Sequence, residues 1–133
     1  MKIEVSNGEL LDKVSILRLK LQHITDDEKR THALKEHQEL VVEMMNLTDS
    51  LPDKDTEHDY LKLFDKLMEV NSVLWSLEDR IREKEKRNNF DQDFIEIARA
   101  IYFKNDERAS IKRKINELTD SSFVEVKSYS EYQ

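Results

Sequence analysis

The sequence predicts an all-α fold, an up-down four-helix bundle with a long hairpin between its third and fourth helices, on three observations. Apolar residues recur at spacings of three and four along four segments, charged residues make up 38% of the chain, and one Gly with one Pro leaves little turn chemistry for a sandwich or barrel. A length of 133 residues suits a single helical domain over 1–133. At that size folding buries roughly two-thirds of the surface of the unfolded chain, so neither a disulfide nor a structural metal is required.

The first helix is expected from about Asn7 to Ile24. Ser6 as N-cap with Glu9 three residues on forms a capping box, and Val5 and Leu10 occupy the positions of a hydrophobic staple. Leu10, Val14, Leu17, Leu21 and Ile24 then line one stripe. Thr25 with Glu28 makes a second capping box, opening a helix that runs to about Ser50. Its stripe is Ala33, His37, Leu40, Met44, Leu47 and Leu51, widened by Leu34, Val41 and Met45.

The segment "LPDKDT" breaks that pattern, because Pro52 disfavours helix at the residue before it and its two Asp suit the start of the next helix. The third helix, from about Glu57 to Arg87, spans on the order of 45 Å against about 27 Å for the first. Its seam reads Tyr60, Phe64, Leu67, Asn71, Leu74, Glu78, Ile81, Glu85. "NNFD" forms the turn, with Asp91 the cap of a fourth helix whose seam is Phe94, Ala98, Ile101, Asn105, Arg108, Lys112 and Ile115. After "LTDSS" the tail loses the helical period and gains β-branched and aromatic residues, as "KIEV" does at the other end. A short β pairing of the termini, Ile3–Val5 with the region 124–127, fits that change.

The seams of the third and fourth helices turn polar together. An antiparallel pair joined by a short turn sets residues whose numbers sum to about 180 face to face. Glu78 then falls near Arg99 and Tyr102, Trp75 near Asn105, and Asn71 near Arg108 and Ala109. Asp12, Lys13, Arg18 and His37 come within a few turns of that layer. Three readings follow. The polar groups satisfy one another and specify register; or the stripe rotates, leaving Arg108 and Lys112 solvated while Ile111 and Ile115 take the core; or the layer is a site. In the last case Asn71, Trp75, Arg99, Tyr102, Asn105, Arg108 and Lys112 would hold a small carboxylate or phosphate ligand, with Glu78 as candidate acid or base.

Composition narrows the other options. A net charge of -7 opposes nonspecific binding to nucleic acid or anionic lipid, although five basic residues between Lys104 and Lys114 leave a local basic face. No run approaches the roughly 20 apolar residues of a membrane span, no apolar signal core opens the chain, and no cysteine is present, so a cytoplasmic location is the expectation. No Gly-rich phosphate loop, nucleophile elbow or Glu-x-x-His pairing is found among the motifs, so no cofactor and no metal are assigned. Glu36, Glu39 and Glu43, on neighbouring turns, read as a solvated face rather than a magnesium chelate.

"EVSNGELLDKVSIL", "LWSLEDRIREKE", "FDQDFIEIARAIYFKNDERASIKRKIN" and "EVKSYSEY" together resemble the successive motifs of a small family of helical proteins of unknown function found in bacteria and their phages. The resemblance implies a compact helical domain and brings no activity with it. The family's motifs include Asn7, Asp12, Trp75, Glu78, Asp79, Arg82, Arg99, Tyr102, Asn105, Asp106, Arg108, Lys112 and Asn116 as they stand here. Helix 2 and "DKDTEHDY" lie outside those motifs. Besides a nucleic-acid accessory, which the net charge disfavours, two functions remain in view. One is an interaction module that forms a homodimer or meets a protein partner through its long hairpin; the other is a small helical enzyme or sensor for an anionic metabolite at the polar layer.

Overall fold

A computed structural model describes residues 1–121 and resolves the chain into four helices in order: α1 (Asn7–His23), α2 (Asp27–Asp49), α3 (Lys54–Lys86) and α4 (Gln92–Leu118). α3 and α4 pack closely on each other along the long hairpin, and α1 packs on α2, α3 and α4 alike. α2 is therefore held mainly through α1. No strand occurs among the described residues: Ile3–Val5 is exposed and irregular, and its expected partner at 124–127 lies outside them.

Local chemistry sets the helix ends. Ser6 Oγ accepts from the Glu9 amide at 3.1 Å, as the capping box predicts. Asp91 Oδ1 accepts from the Phe94 amide at 2.9 Å and caps α4. Two expected starts are corrected. α2 is capped by Asp26, whose Oδ2 accepts from the Lys29 amide at 3.0 Å, and not by Thr25. Asp is the stronger N-cap, and the Ile24 amide is still bonded to Lys20 O, so Thr25 is a connector. α3 starts earlier than Glu57, at Lys54, because Asp53 Oδ1 accepts from the Thr56 amide at 2.7 Å.

α3 ends in a Schellman motif. Asn88, at φ 53°, lets the Asn88 amide reach Glu85 O and the Asn89 amide reach Lys84 O. Asn tolerates this left-handed conformation better than most residues, which gives "NNFD" its chain reversal.

The core is a cluster of Leu11 and Val14 from α1, Met44 from α2, Tyr60, Phe64, Leu67, Val70 and Leu74 from α3, and Ile111 and Ile115 from α4. The α3 seam is buried from Tyr60 to Leu74 as its spacing predicts. α1 differs: besides Val14 and Leu17 it buries Gly8, Leu11, Asp12, Ser15 and Leu19, while Leu10 and Leu21 are only half-buried. With partners on several sides, a helix buries more than one stripe. α2 shows the converse. Leu34 and Met45, expected to widen its apolar face, are exposed, because little besides α1 covers this helix. Beyond Leu74 and Ile101 the hairpin is held by its own residues. Leu77 and Ile97 are buried, Phe90 meets Phe94 edge-on at 5.1 Å, and Lys84 pairs with Asp91 and Asp93 at 3.0 and 3.1 Å.

The one glycine marks the tightest helix contact. A Cβ on Gly8 would collide with Lys112 O and lie 3.0 Å from Asn116 Oδ1, so only a hydrogen lets α1 approach the α4 backbone. Gly8→Ala therefore sets two effects against each other. The better helix propensity of Ala is worth about 1 kcal/mol, whereas overpacking against a backbone carbonyl costs about 1–3 kcal/mol. The backbone cannot step aside as a flexible side chain can, so urea denaturation is expected to show net destabilisation; a gain in stability would contradict this contact.

Candidate functional site

The polar layer is built around Asp12, a carboxylate with no solvent exposure on α1. Arg108 of α4 approaches it with both ends of its fork: Nε donates to Oδ1 at 2.9 Å and Nη2 donates to Oδ2. Asn71 of α3 donates through Nδ2 to Asp12 Oδ1 at 2.9 Å and to Ser15 Oγ at 2.7 Å. Ser15 Oγ in turn donates to the Asp12 carbonyl at 2.7 Å. One carboxylate on α1 thus ties α3 to α4, and it does so through the Asn71 and Arg108 that the antiparallel register brings together.

A second ion pair lies one turn nearer the start of α1. Lys112 Nζ sits 2.6 Å from Glu9 Oε2 and 4.0 Å from Asp12 Oδ2, and its side chain is buried. Glu9, expected as the acidic half of a capping box, thus spends its carboxylate on Lys112 and, at 3.7 Å, Lys13. The first amides of α1 are satisfied from α4 and the residues just after it. The Gly8 amide donates to Asn116 Oδ1 at 2.7 Å, and the Asn7 amide donates to Ser121 Oγ at 3.0 Å. Asn7 Nδ2 adds a bond to Thr119 Oγ1 at 2.9 Å. An end of a helix that would otherwise attract anions is closed by the protein's own oxygens.

Among the described residues, Arg108 pairs with Asp12 and Lys112 with Glu9, and pairing of this kind offsets desolvation costs of several kcal/mol per ion. Arg108 is the member nearest solvent, with its side chain 27% exposed.

The remaining sequence-derived candidates divide. Trp75, half-buried, stacks on His23 at the end of α1, with ring centroids 4.9 Å apart and planes 17° from parallel. Asn105 is half-buried. Arg99 and Tyr102 are exposed on α4. Glu78 pairs with Arg82 at 3.3 Å on the surface of α3. The physical reason is that Ile97, Ile101, Ile111 and Ile115 take the positions facing the apolar interior, which turns Tyr102 outward. Sequence reasoning missed Ser15, and read Glu9 only as a cap. The available signal was the set Gly8, Asp12, Ser15, Leu19, which shares one face beside the leucine stripe and carries the only glycine.

Two further polar clusters lie outside this layer. Arg18 lies over the Phe64 ring, its guanidinium carbon 4.9 Å from the centroid. Burial, and then the charge of Arg18, lower the His37 pKa from its usual value, and its Nε2 is buried without a hydrogen-bond partner among the described residues. At the hairpin tip an open recess of about 460 Å³ is lined by Asp79, Arg80, Glu83, Lys84, Arg87 and Asn89. The Phe94 amide, followed by Lys84, holds the Asp91 carboxyl below its usual value, and the Asp91 hydrogen bond raises Lys84. That recess is a capped turn whose cations face their own carboxylates.

Fold and layer together define an all-helical protein in which a short helix is keyed by buried charges to a long helical hairpin. The chain belongs to DUF6165, a family of unknown function, whose model matches residues 1–132. No curated protein and no solved structure matches it. Among the described residues no helix is long and apolar enough to cross a membrane.

Removing one partner of a buried ion pair costs about 3–5 kcal/mol. Arg108→Ala is expected near the lower figure, since its fork is partly solvated, and Arg108→Lys to recover only part, since one ammonium cannot match both oxygens of Asp12. Chemical denaturation checks both; full rescue by Lys would refute the bidentate role. His37 gives a pH signature. Its depressed folded pKa means the unfolded chain binds the proton more readily, so its contribution to stability is full above the unfolded value of about 6.5 and is lost as pH falls from there through the folded value. His37→Gln should flatten the fall in melting temperature over that window, and an unchanged slope would refute it.

Proposed function

We propose that this chain is an interaction module that associates with a second copy through the outer part of its α3–α4 hairpin. The observation behind this reading is the outer face of α4, where Ile95 and Tyr102 are each 47% exposed and Phe103 is 38% exposed. Val73 and Phe90, both exposed, extend the apolar surface of the same hairpin. Scattered apolar residues on a surface need no explanation, but aromatic and branched side chains recurring along one helix do. The polar layer serves this reading as a structural key. It holds α1 on one half of the hairpin, and α3, at 33 residues or about 50 Å, continues well past the 17-residue α1.

A second reading, a small enzyme or sensor for an anionic carboxylate or phosphate metabolite, rests on the solvent-facing edge of Arg108. It takes Asn71, Trp75, Arg99, Tyr102, Asn105, Arg108 and Lys112 as ligand-binding residues and Glu78 as acid or base. An incoming anion would have to displace Asp12 from Arg108 and Glu9 from Lys112, which makes this the more demanding of the two.

Sedimentation equilibrium over a wide concentration range distinguishes them. The first reading expects a monomer–dimer equilibrium that Ile95→Glu with Tyr102→Glu shifts to monomer while the helical circular dichroism is retained. A parent protein that stays monomeric throughout, yet melts higher with phosphate or citrate only when Arg108 is intact, would replace the first reading with the second.

A further inference from the structure

The outer side of α2 carries three exposed apolar side chains: Leu34 at 45%, Val42 at 54% and Met45 at 59%. At about 100° per residue they fall within one quarter of the helix circumference, outside the arc that holds the buried Ala33 and Met44. Asp27, Glu28, Glu39, Glu43 and Asp49 share the same half of the helix, with Lys35 as its cation, and all of these charged side chains are exposed. The two kinds of residue are interleaved. Val42 stands three residues after Glu39 and three before Met45, and Met45 stands four before Asp49, so each apolar group has a carboxylate as its neighbour on the helix surface. The ion pairs formed between described residues lie on α1 and the hairpin, and none involves these carboxylates of α2.

We propose that the outer face of α2 docks a basic amphipathic helix of a partner protein, which lays its apolar stripe on Leu34, Val42 and Met45 and sets Lys or Arg against Glu39, Glu43 and Asp49. Charge selects this occupant. A second copy of the chain meeting α2 with α2 would set acidic face on acidic face, and like charges brought together suppress that contact. Nucleic acid and anionic lipid are repelled for the same reason. A cationic helix gains at both kinds of site, because its apolar residues leave water where its charges find partners.

The dimensions suit such a partner. From Leu34 to Met45 the helix advances about 17 Å, so about three turns of a second helix cover the strip. Met45 adds an unbranched side chain that adapts to the shape laid on it. A contact of this size belongs with the small, exchangeable interfaces rather than the permanent ones. It goes beyond the self-association reading and uses other residues: α2 is held mainly through α1, and covering its outer face touches neither the polar layer nor the hairpin.

Fluorescence anisotropy of the full chain tests this with a labelled synthetic peptide of Leu and Lys, long enough for about four turns and with its Leu at helical spacing. The parent protein should bind it saturably, and should not bind a scrambled peptide of the same composition. Val42→Ser with Met45→Ser should weaken binding by at least about tenfold. Glu39→Gln with Glu43→Gln should weaken it by about threefold or more and flatten its salt dependence. Asp65→Asn with Glu69→Gln removes the same charge from exposed positions on α3 and should leave binding unchanged, which separates a site on α2 from the pull of an acidic protein on any cation. Melting temperature and helical circular dichroism confirm that each variant is folded. A parent that ignores the peptide, equal binding of the scrambled one, an equal loss from the α3 pair, or indifference to Val42→Ser with Met45→Ser overturns the proposal. So does a parent dimer that Val42→Ser with Met45→Ser dissociates in sedimentation, since the face then belongs to a second copy. None of these variants touches Ile95 or Tyr102, so the hairpin reading stands or falls separately.

Discussion

The rest of the molecule depends on one fully buried carboxylate. Asp12 can remain inside only because Arg108 from α4 and Asn71 from α3 reach it together, and because Ser15 turns the local backbone carbonyl into a further hydrogen-bonded point. An unpaired ion at that depth would cost several kcal/mol. Each partner therefore has little freedom: α1 must lie where both α3 and α4 can reach it. Apolar packing alone would permit α1 to slide by a turn along the hairpin, since one leucine or isoleucine can replace another in such a contact. The ion pair and its amide make a slid arrangement leave charges unmatched.

Gly8 and Asn116 fix the same placement at close range. Gly8 brings the first turn of α1 against the carbonyl of Lys112, and the Gly8 amide is satisfied by Asn116. The adjoining pair Lys112–Glu9 sits between this contact and Asp12. Three kinds of interaction, steric, hydrogen-bonded and ionic, thus lie in sequence along one face of α1. They explain why Arg108, Lys112 and Asn116 of α4 point inward where they do.

Membership of DUF6165, a family of unknown function, supplies no chemistry, so function is argued from surfaces. Asp12, Asn71, Arg108 and Lys112 are engaged within the layer, while Ile95 on the outward face of α4 is exposed. A helical hairpin that outruns the helix keyed to it is suited to lateral association, because its outer faces remain available over several turns. The same length is of little use for enclosing a small molecule. These are the reasons for placing interaction ahead of catalysis.

The sequence by itself determined the four helices, their caps at Ser6 and Asp91, the chain reversal at "NNFD", the core seam from Tyr60 to Leu74, and the register that brings Asn71 to Arg108. Each of these is a matter of periodicity or of hydrogen bonds within a few residues, which a linear string records. Neighbouring candidates were less legible: Asp26 rather than Thr25 caps α2, and Leu34 and Met45 lie outside the apolar stripe that spacing assigned them. Only the tertiary structure decided that Asp12 is the centre of the layer, that Ser15 and Glu9 belong to it, and that Arg99 and Tyr102 are exposed. Those outcomes turn on which face of α1 meets two helices distant in the chain, and an amphipathic helix with polar residues on more than one face does not announce which of them will be buried.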